Sequence, residues 1–331
     1  MNGGPSPALL RARITGCGAA LPARIVDNEE LARTVDTSDA WIRERTGIHQ
    51  RHVAADGEMT SDLAVAAATA ALAHAGVAAD QVDAVILATT TPDQTFPATA
   101  TTVQARLGMT RGFAFDIQAV CAGFIFALAQ ADNFIRLGQA RTVLVIGAET
   151  FSRLVDWSDR ATCVLFGDGA GAVLLQATAG DGGLEMPGIH SVHLHTDGRQ
   201  AGLLHTDGGP SSTGTTGHVR MNGREVFRHA VRNLADAVDE TLTHHGLAPS
   251  AIDWIVPHQA NRRILEGTAQ RLNLPLERVV MTIDHHANTS AASVPLALAE
   301  AVADGRIQPG HLLLLEAMGG GFAWGSALVR W

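Results

Sequence analysis

The 331-residue chain contains no lysine and no tyrosine; all 24 of its basic residues are arginine. A chain without lysine forms no Schiff base with pyridoxal phosphate or a carbonyl substrate. It also lacks the phosphate-binding lysine of a P-loop. Covalent catalysis therefore falls to Cys, Ser, Thr, His or a carboxylate. Three scattered cysteines, Cys17, Cys121 and Cys163, argue against a disulfide framework and for a reducing compartment. No apolar run reaches the ~18–20 residues that span a bilayer. No basic stretch leads into an apolar segment at the N-terminus, so no secretory signal is expected. The formal net charge of −9 counts against general nucleic-acid binding. These absences predict a cytoplasmic protein that engages neither a membrane nor nucleic acid.

What is present is an apolar, low-charge chain, 46% hydrophobic and 17% charged, as globular proteins are. Apolar runs at 82–90, 141–149, 163–175, 252–260, 311–318 and 322–331 read as buried strands. Ala- and Leu-rich stretches between them read as helices; "SDLAVAAATAALAHAG" (61–76) ends on Gly76, a common helix stop. Wholly apolar strands alternating with helices predict an α/β fold with sheets covered on both faces. A long-period repeat adds to this. "VDAVILATT" at Val82 resembles "IDWIVPHQA" at Ile252, and "RLGQA" before "RTVLVIGAE" resembles "ADGRIQPG" before "HLLLLEAM". The offsets are 252 − 82 = 170 and 305 − 138 = 167. We therefore expect two duplicated α/β halves, 1–176 and 177–331, packed as five layers with the active site where they meet.

The repeat links two positions of chemical interest. Cys121 opens the apolar stretch "IQAVCAGFIFAL", and 121 + 167 = 288 reaches Asn288 in "HHANTSAAS". Each precedes the helix of its own half, so both can face one cavity. At a helix start, backbone N–H groups favour a thiolate, and we expect the Cys121 pKa to be lowered. His258 closes the strand "WIVPHQAN". Taken singly, Cys121 fits a packed core thiol, His258 a structural histidine and Asn288 a helix cap. "GDGAG" (167–171) leads into a strand rather than a helix, which excludes a Rossmann dinucleotide site. The His-rich stretch 189–209 lacks zinc-ligand spacing and reads as a surface loop without metal.

Together, "TSDAWIRERTGI" (37–48), "QAVCAGF" (118–124), "SDRATCVLFGDGAGA" (158–172), "VPHQANRRI" (256–264), "HANTSAASVP" (286–295) and "EAMGGGFAWGSALVRW" (316–331) resemble the β-ketoacyl-acyl-carrier-protein synthase III enzymes of the thiolase superfamily. The match runs through nearly the whole chain. The resemblance implies the thiolase fold, a homodimer, no cofactor beyond acyl-CoA as substrate, and the condensation that initiates type II fatty-acid synthesis. It implies Cys121, His258 and Asn288 as the catalytic residues, with the Cys121 and Gly320 backbone N–H groups as oxyanion donors. It places Trp41 and Arg160 on either side of the CoA adenine and Arg45 at a nucleotide or phosphate position. Phe96 matches a phenylalanine that lines the partner's acyl pocket. Arg224, Arg228 and Arg232 fall at i, i+4 and i+8, one side of a helix. By resemblance Arg224, Arg228 and Arg263 receive the acidic acyl carrier protein.

Two positions depart from the family pattern: Ala287 replaces the usual Gly before the Asn, and Met318 replaces the frequent Phe before the triple glycine. An Ala at φ > 0 would cost roughly 1 kcal/mol or more. Rival readings are a synthase or acyltransferase of secondary metabolism with the same three residues, a Cys–His–Asn hydrolase of the papain type, and a non-catalytic acyl-binding subunit. The papain-type "CGSCW" surroundings are missing, and intact Cys, His and Asn count against the last.

Overall fold

The computed structural model describes residues 9–180 and 183–331. Two sheets form its frame. The first has the order β1-β7-β6-β4-β5, from β1 (Leu9–Ala20), β4 (Ala84–Ala88), β5 (Phe113–Ile117), β6 (Thr142–Glu149) and β7 (Gly169–Gly180). The second has the order β11-β12-β13-β8, from β8 (Gly188–Thr196), β11 (Trp254–Pro257), β12 (Leu312–Gly319) and β13 (Ala323–Arg330). Two short pairs stand apart: β2 (Arg24–Asp27) with β3 (Gln50–Val53), and β9 (Leu204–Thr206) with β10 (Val219–Met221). The helices are α1 (Asn28–Leu31), α2 (Asp39–Thr46), α3 (Thr60–Ala75), α4 (Thr99–Arg106), α5 (Gly123–Arg136), α6 (Gly223–His245), α7 (Arg262–Arg271), α8 (Ile283–His286) and α9 (Ser293–Ala303).

The sheets repeat one topology. In the first, β6 runs parallel to β4 and antiparallel to β7, which is antiparallel to β1. In the second, β12 runs parallel to β11 and antiparallel to β13, which is antiparallel to β8. The first half adds β5 beyond β4; at the matching place the second half has only a parallel bridge, Ile255 to Val279. Strand β7 carries the first sheet to Gly180, past the expected 176/177 divide.

Side-chain alternation explains the layers. Along β6, Val143 and Val145 join a core shared with Phe124 and Leu128 of α5 and Val294 and Leu298 of α9. Leu144 and Ile146, on the opposite face, pack on Ala64, Ala67, Ala68 and Ala71 of α3. Strand β12 does the same: Leu313 and Leu315 face the α5–α9 layer, Leu312 and Leu314 face Ala235, Val238 and Leu242 of α6. The order is thus helix, sheet, paired helices, sheet, helix. Truncating such a leucine to alanine costs ~2–5 kcal/mol. Helix α3 ends where Gly76 takes φ 65°, as the sequence predicts. The glycines of "GDGAG" serve packing: a Cβ on Gly171 would lie 2.6 Å from the Leu296 backbone nitrogen, so α9 comes close enough only over a glycine.

Two expectations need correction. Of the run 163–175, residues 163–165 are turn, Phe166 makes a bridge to Asn288, and the strand starts at Gly169. The stretch 189–209 is not a surface loop throughout. Its first part is β8, paired with β13 inside the second sheet. The polar histidines hid the strand; His193 and His195 alternate onto the face where both meet Glu240 of α6.

Candidate functional site

Cys121 sits in a tight turn, Val120–Ala122, between β5 and α5. The turn is pressed against the end of β12. A Cβ on Gly319 would lie 2.6 Å from the Cys121 nitrogen and 3.1 Å from Val120 Cβ, so glycine is required there. His258 follows β11, and its N–H donates to Glu316 O on β12 at 2.8 Å. Asn288 follows Ala287, whose φ and ψ of 58° and −160° lie in a region normally open only to glycine. The Asn288 N–H donates to Leu165 O at 3.0 Å, and the Gly167 N–H donates back to Asn288 O at 3.0 Å. Asn288 Oδ1 accepts from the Ser290 N–H at 2.9 Å. That bond occupies the amide oxygen and leaves the amide nitrogen as a donor.

These three side chains line one cavity of about 480 Å³. Trp41, Arg45, Arg224 and Arg263 line it too, with apolar walls from Phe151, Val164, Leu204, Met221, Met318 and Phe322. The two halves thus bring Cys121 and Asn288, pseudo-equivalent in sequence, to a common space. Arginines on this cavity give a local positive field to a chain of net charge −9.

Burial sets the charge states. It pushes the Cys121 thiol up to about 12, with Glu149 adding to the rise and a hydrogen bond from Ser290 opposing it. The expectation of a thiol lowered by its helix start is corrected: apolar enclosure raises it instead. Burial brings His258 down to about 3, so its imidazole is neutral. Among the described residues its Nδ1 has no hydrogen-bond partner. At neutral pH the pair is therefore thiol and neutral imidazole.

Arg160, Arg228, Gly320 and Phe96 fall outside the cavity lining. Arg160 stacks on Trp41, its guanidinium carbon 5.0 Å from the ring centroid, and donates to Asp36 O at 2.8 Å. A planar base cannot insert between the two at that spacing. Arg228 is exposed and pairs with Glu225 at 2.6 Å. Arg263 lies over Phe227, 5.9 Å from its centroid. Arg232 is turned toward His229 and Asn233 instead of extending the stripe. Gly319 lines the cavity; at the neighbouring Gly320 a Cβ would lie 2.8 Å from Leu204 O. Phe96 is 82% exposed and touches none of this cavity.

Two residues went unread in the sequence. Glu149 is fully buried, and its carboxylate accepts from Thr89, Thr90, Thr91 and Ser290 hydroxyls. Ser290 in turn lies beside the Cys121 thiol and opposes the rise in its pKa. The available signal was a lone acid closing the otherwise apolar run "RTVLVIGAE".

Comparison with known proteins agrees with this geometry. Residues 115–198 match the family model for 3-oxoacyl-[acyl-carrier-protein] synthase III, and residues 242–331 match the model for its C-terminal part. A β-ketoacyl-[acyl-carrier-protein] synthase III from Rhodospirillum centenum is 69% identical over 97% of this chain and 99% of its own. One from Rhodospirillum rubrum is 68% identical over 97% and 99%. The crystal structure of the 3-oxoacyl-[acyl-carrier-protein] synthase III of Aquifex aeolicus superposes with a TM-score of 0.91 at 45% identity, covering 97% of this chain and 100% of that one. The fold is accordingly that of the thiolase-type synthases, and the chain belongs to the β-ketoacyl-[acyl-carrier-protein] synthase III family.

Proposed function

We propose that this enzyme, an acyltransferase of the condensing type, joins a short acyl-CoA primer to malonyl-acyl carrier protein through an acyl-Cys121 intermediate. The observation that carries the assignment of residues is the convergence of Cys121, His258 and Asn288 on one cavity with arginines along its wall. In the first half-reaction the Cys121 sulfur attacks the thioester carbon of acyl-CoA. The thiol proton passes to the departing CoA sulfur as the new C–S bond forms, so no standing thiolate is needed. The Cys121 and Gly320 N–H groups are the donors for the tetrahedral oxyanion; among the described residues Gly320 N–H has no other acceptor.

In the second half-reaction the malonyl thioester loses CO₂ and its electron pair moves onto the thioester oxygen. The His258 ring and the Asn288 amide supply donors to that enolate. Because Nδ1 of His258 has no acceptor, the ring proton is best kept on Nε2, the donor tautomer the step requires. One such donor is typically worth ~10²–10³ in rate. The carbanion attacks the acyl thioester, Cys121 leaves, takes up a proton, and 3-ketoacyl carrier protein is released.

Trp41 and Arg160 would hold the adenine, and Arg45 the phosphates. Arg224, Arg228 and Arg263 would receive the carrier protein, a basic patch suited to an acidic partner. A homodimer is part of this reading. Strand β5 is the outer strand of its sheet yet reads "FAFDI", and Phe96 stands exposed; a second copy would cover both and take Phe96 into its acyl pocket. Two functional halves meeting near 176/177 and a cytoplasmic location also belong to the proposal. Among the described residues no helix is long and apolar enough to cross a membrane. The test is direct: acetyl-CoA and malonyl-carrier protein should give CO₂ and a 3-ketoacyl product. Free acid in place of that product would favour the hydrolase reading.

A further inference from the structure

Outside the cavity, a second group of ligating side chains gathers where α8 meets α9. Asp284 Oδ1 accepts from His285 Nδ1 at 2.8 Å. His285 Nε2 lies 2.7 Å from Glu300 Oε2, and His286 Nε2 lies 3.4 Å from that same oxygen. The ligand atoms of His285, His286 and Glu300 all fall within 4.8 Å of one another.

We propose that His285, His286 and Glu300 form a binding site for a divalent transition-metal ion, zinc foremost. Two imidazole nitrogens and one carboxylate oxygen are the protein ligands of open zinc sites, where water fills the fourth position. Tetrahedral bonds at the usual zinc distances place ligand atoms roughly 3.3 Å apart. His286 and Glu300 already stand at 3.4 Å; the His285–Glu300 contact must open by about half an ångström.

The surroundings fit an ion. Asp284 holds Nδ1 of His285, which leaves Nε2 for the metal, the outer carboxylate support that ligating histidines usually have. The His286 side chain is 8% exposed, and among the described residues its Nδ1 has no partner. His286 and Glu300 line a cavity of about 350 Å³ together with Cys17 and His74, so the fourth position has room for water. The nearby charges are Asp284, Glu300 and Asp304 against Arg306. Arg306 bonds Glu300 through Oε1 at 3.2 Å, leaving Oε2 for the ion. As the metal–nitrogen bond to His285 forms, the proton between His285 and Glu300 leaves to solvent. An ion here would tie α8 to α9, on either side of the turn bearing Asn288, and so brace that turn.

The test uses the full-length protein stripped with a chelator. Cobalt(II) should bind one equivalent per chain with visible d–d absorption, and one equivalent of zinc should displace it. Calorimetry should show His285→Gln and Glu300→Gln lowering zinc affinity at least ~10²-fold. Asp284→Asn should lower it ~10–100-fold. His195→Gln, whose ring pairs with Glu240 on another face, should bind as the unmodified chain does. Absence of a one-equivalent cobalt spectrum in the unmodified protein would overturn the proposal, whatever the variants do. So would one zinc site of equal affinity in the unmodified chain and in folded His285→Gln.

Discussion

Val120 and Ala287 stand 287 − 120 = 167 residues apart, and both hold positive φ, 49° and 58°. Each immediately precedes a side chain that lines the shared cavity, Cys121 in one half and Asn288 in the other. Only a turn that reverses the chain sharply lets each helix start present its first polar group to the seam between halves. The two halves thus carry a positive-φ residue at the same place.

At Ala287 that strain is measurable. A non-glycine residue in such a region costs of order 1–3 kcal/mol. Ala287→Gly removes it, and loses a buried methyl, ~0.8 kcal/mol, and glycine's extra chain entropy, ~0.5–1 kcal/mol. Ala287→Gly should therefore lie within about 1 kcal/mol of the unmodified chain in denaturant melts. Ala68→Gly, equally buried in the middle of α3, should cost ~2 kcal/mol, helix propensity adding to the lost methyl. Equal losses at both sites would mean Ala287 is unstrained.

Glu316, behind His258, gives a pH signature. Burial pushes its carboxyl up to about 8 from 4.5, so the folded state keeps a proton that the unfolded state releases. Stability from this group is fully present below pH 4.5 and is lost as pH rises through 8. Glu316→Gln should match the unmodified chain near pH 4.5 and exceed it by several kcal/mol near pH 8. Denaturation curves at both pH values check this; a constant difference between the proteins would contradict it.

Among the arginines proposed to receive the carrier protein, Arg228 is the cleanest to change, because Arg224 and Arg263 also line the cavity. Arg228→Glu should raise the KM for malonyl-carrier protein about tenfold at low salt, less at high salt, while acylation by acyl-CoA is kept. Equal damage to both half-reactions would assign Arg228 a structural role.

Asn288→Ala should separate the half-reactions. Acylation of Cys121 should stay within about tenfold, whereas CO₂ release from labelled malonyl-carrier protein should fall by at least ~10². Loss of acylation with decarboxylation intact would make Asn288 an orienter of His258, as in a hydrolase.

Much of this was legible in the sequence. Strands such as β6 and β12 are apolar on both faces because helices cover both, so they read as unbroken runs. Strands β1 and β8 do not read as such runs because Arg11, Arg13 and the histidines 190, 193 and 195 interrupt the signal; Arg11 and His190 pair with each other across the two sheets. The catalytic candidates followed from the repeat and the family resemblance. The charge state of Cys121 did not, because a thiol's burial depends on walls contributed by both halves. Nor did Glu149, whose partners Thr89, Thr90, Thr91 and Ser290 come from distant segments.

The central claim is that one thiol carries the acyl group. Incubation with a slight excess of acetyl-CoA, followed by intact-mass and peptide mass spectrometry, should show a single acetyl adduct on Cys121, which Cys121→Ser abolishes and added malonyl-carrier protein discharges as 3-ketoacyl product. An adduct on Cys17 or Cys163, or condensation that survives in Cys121→Ser, would contradict it.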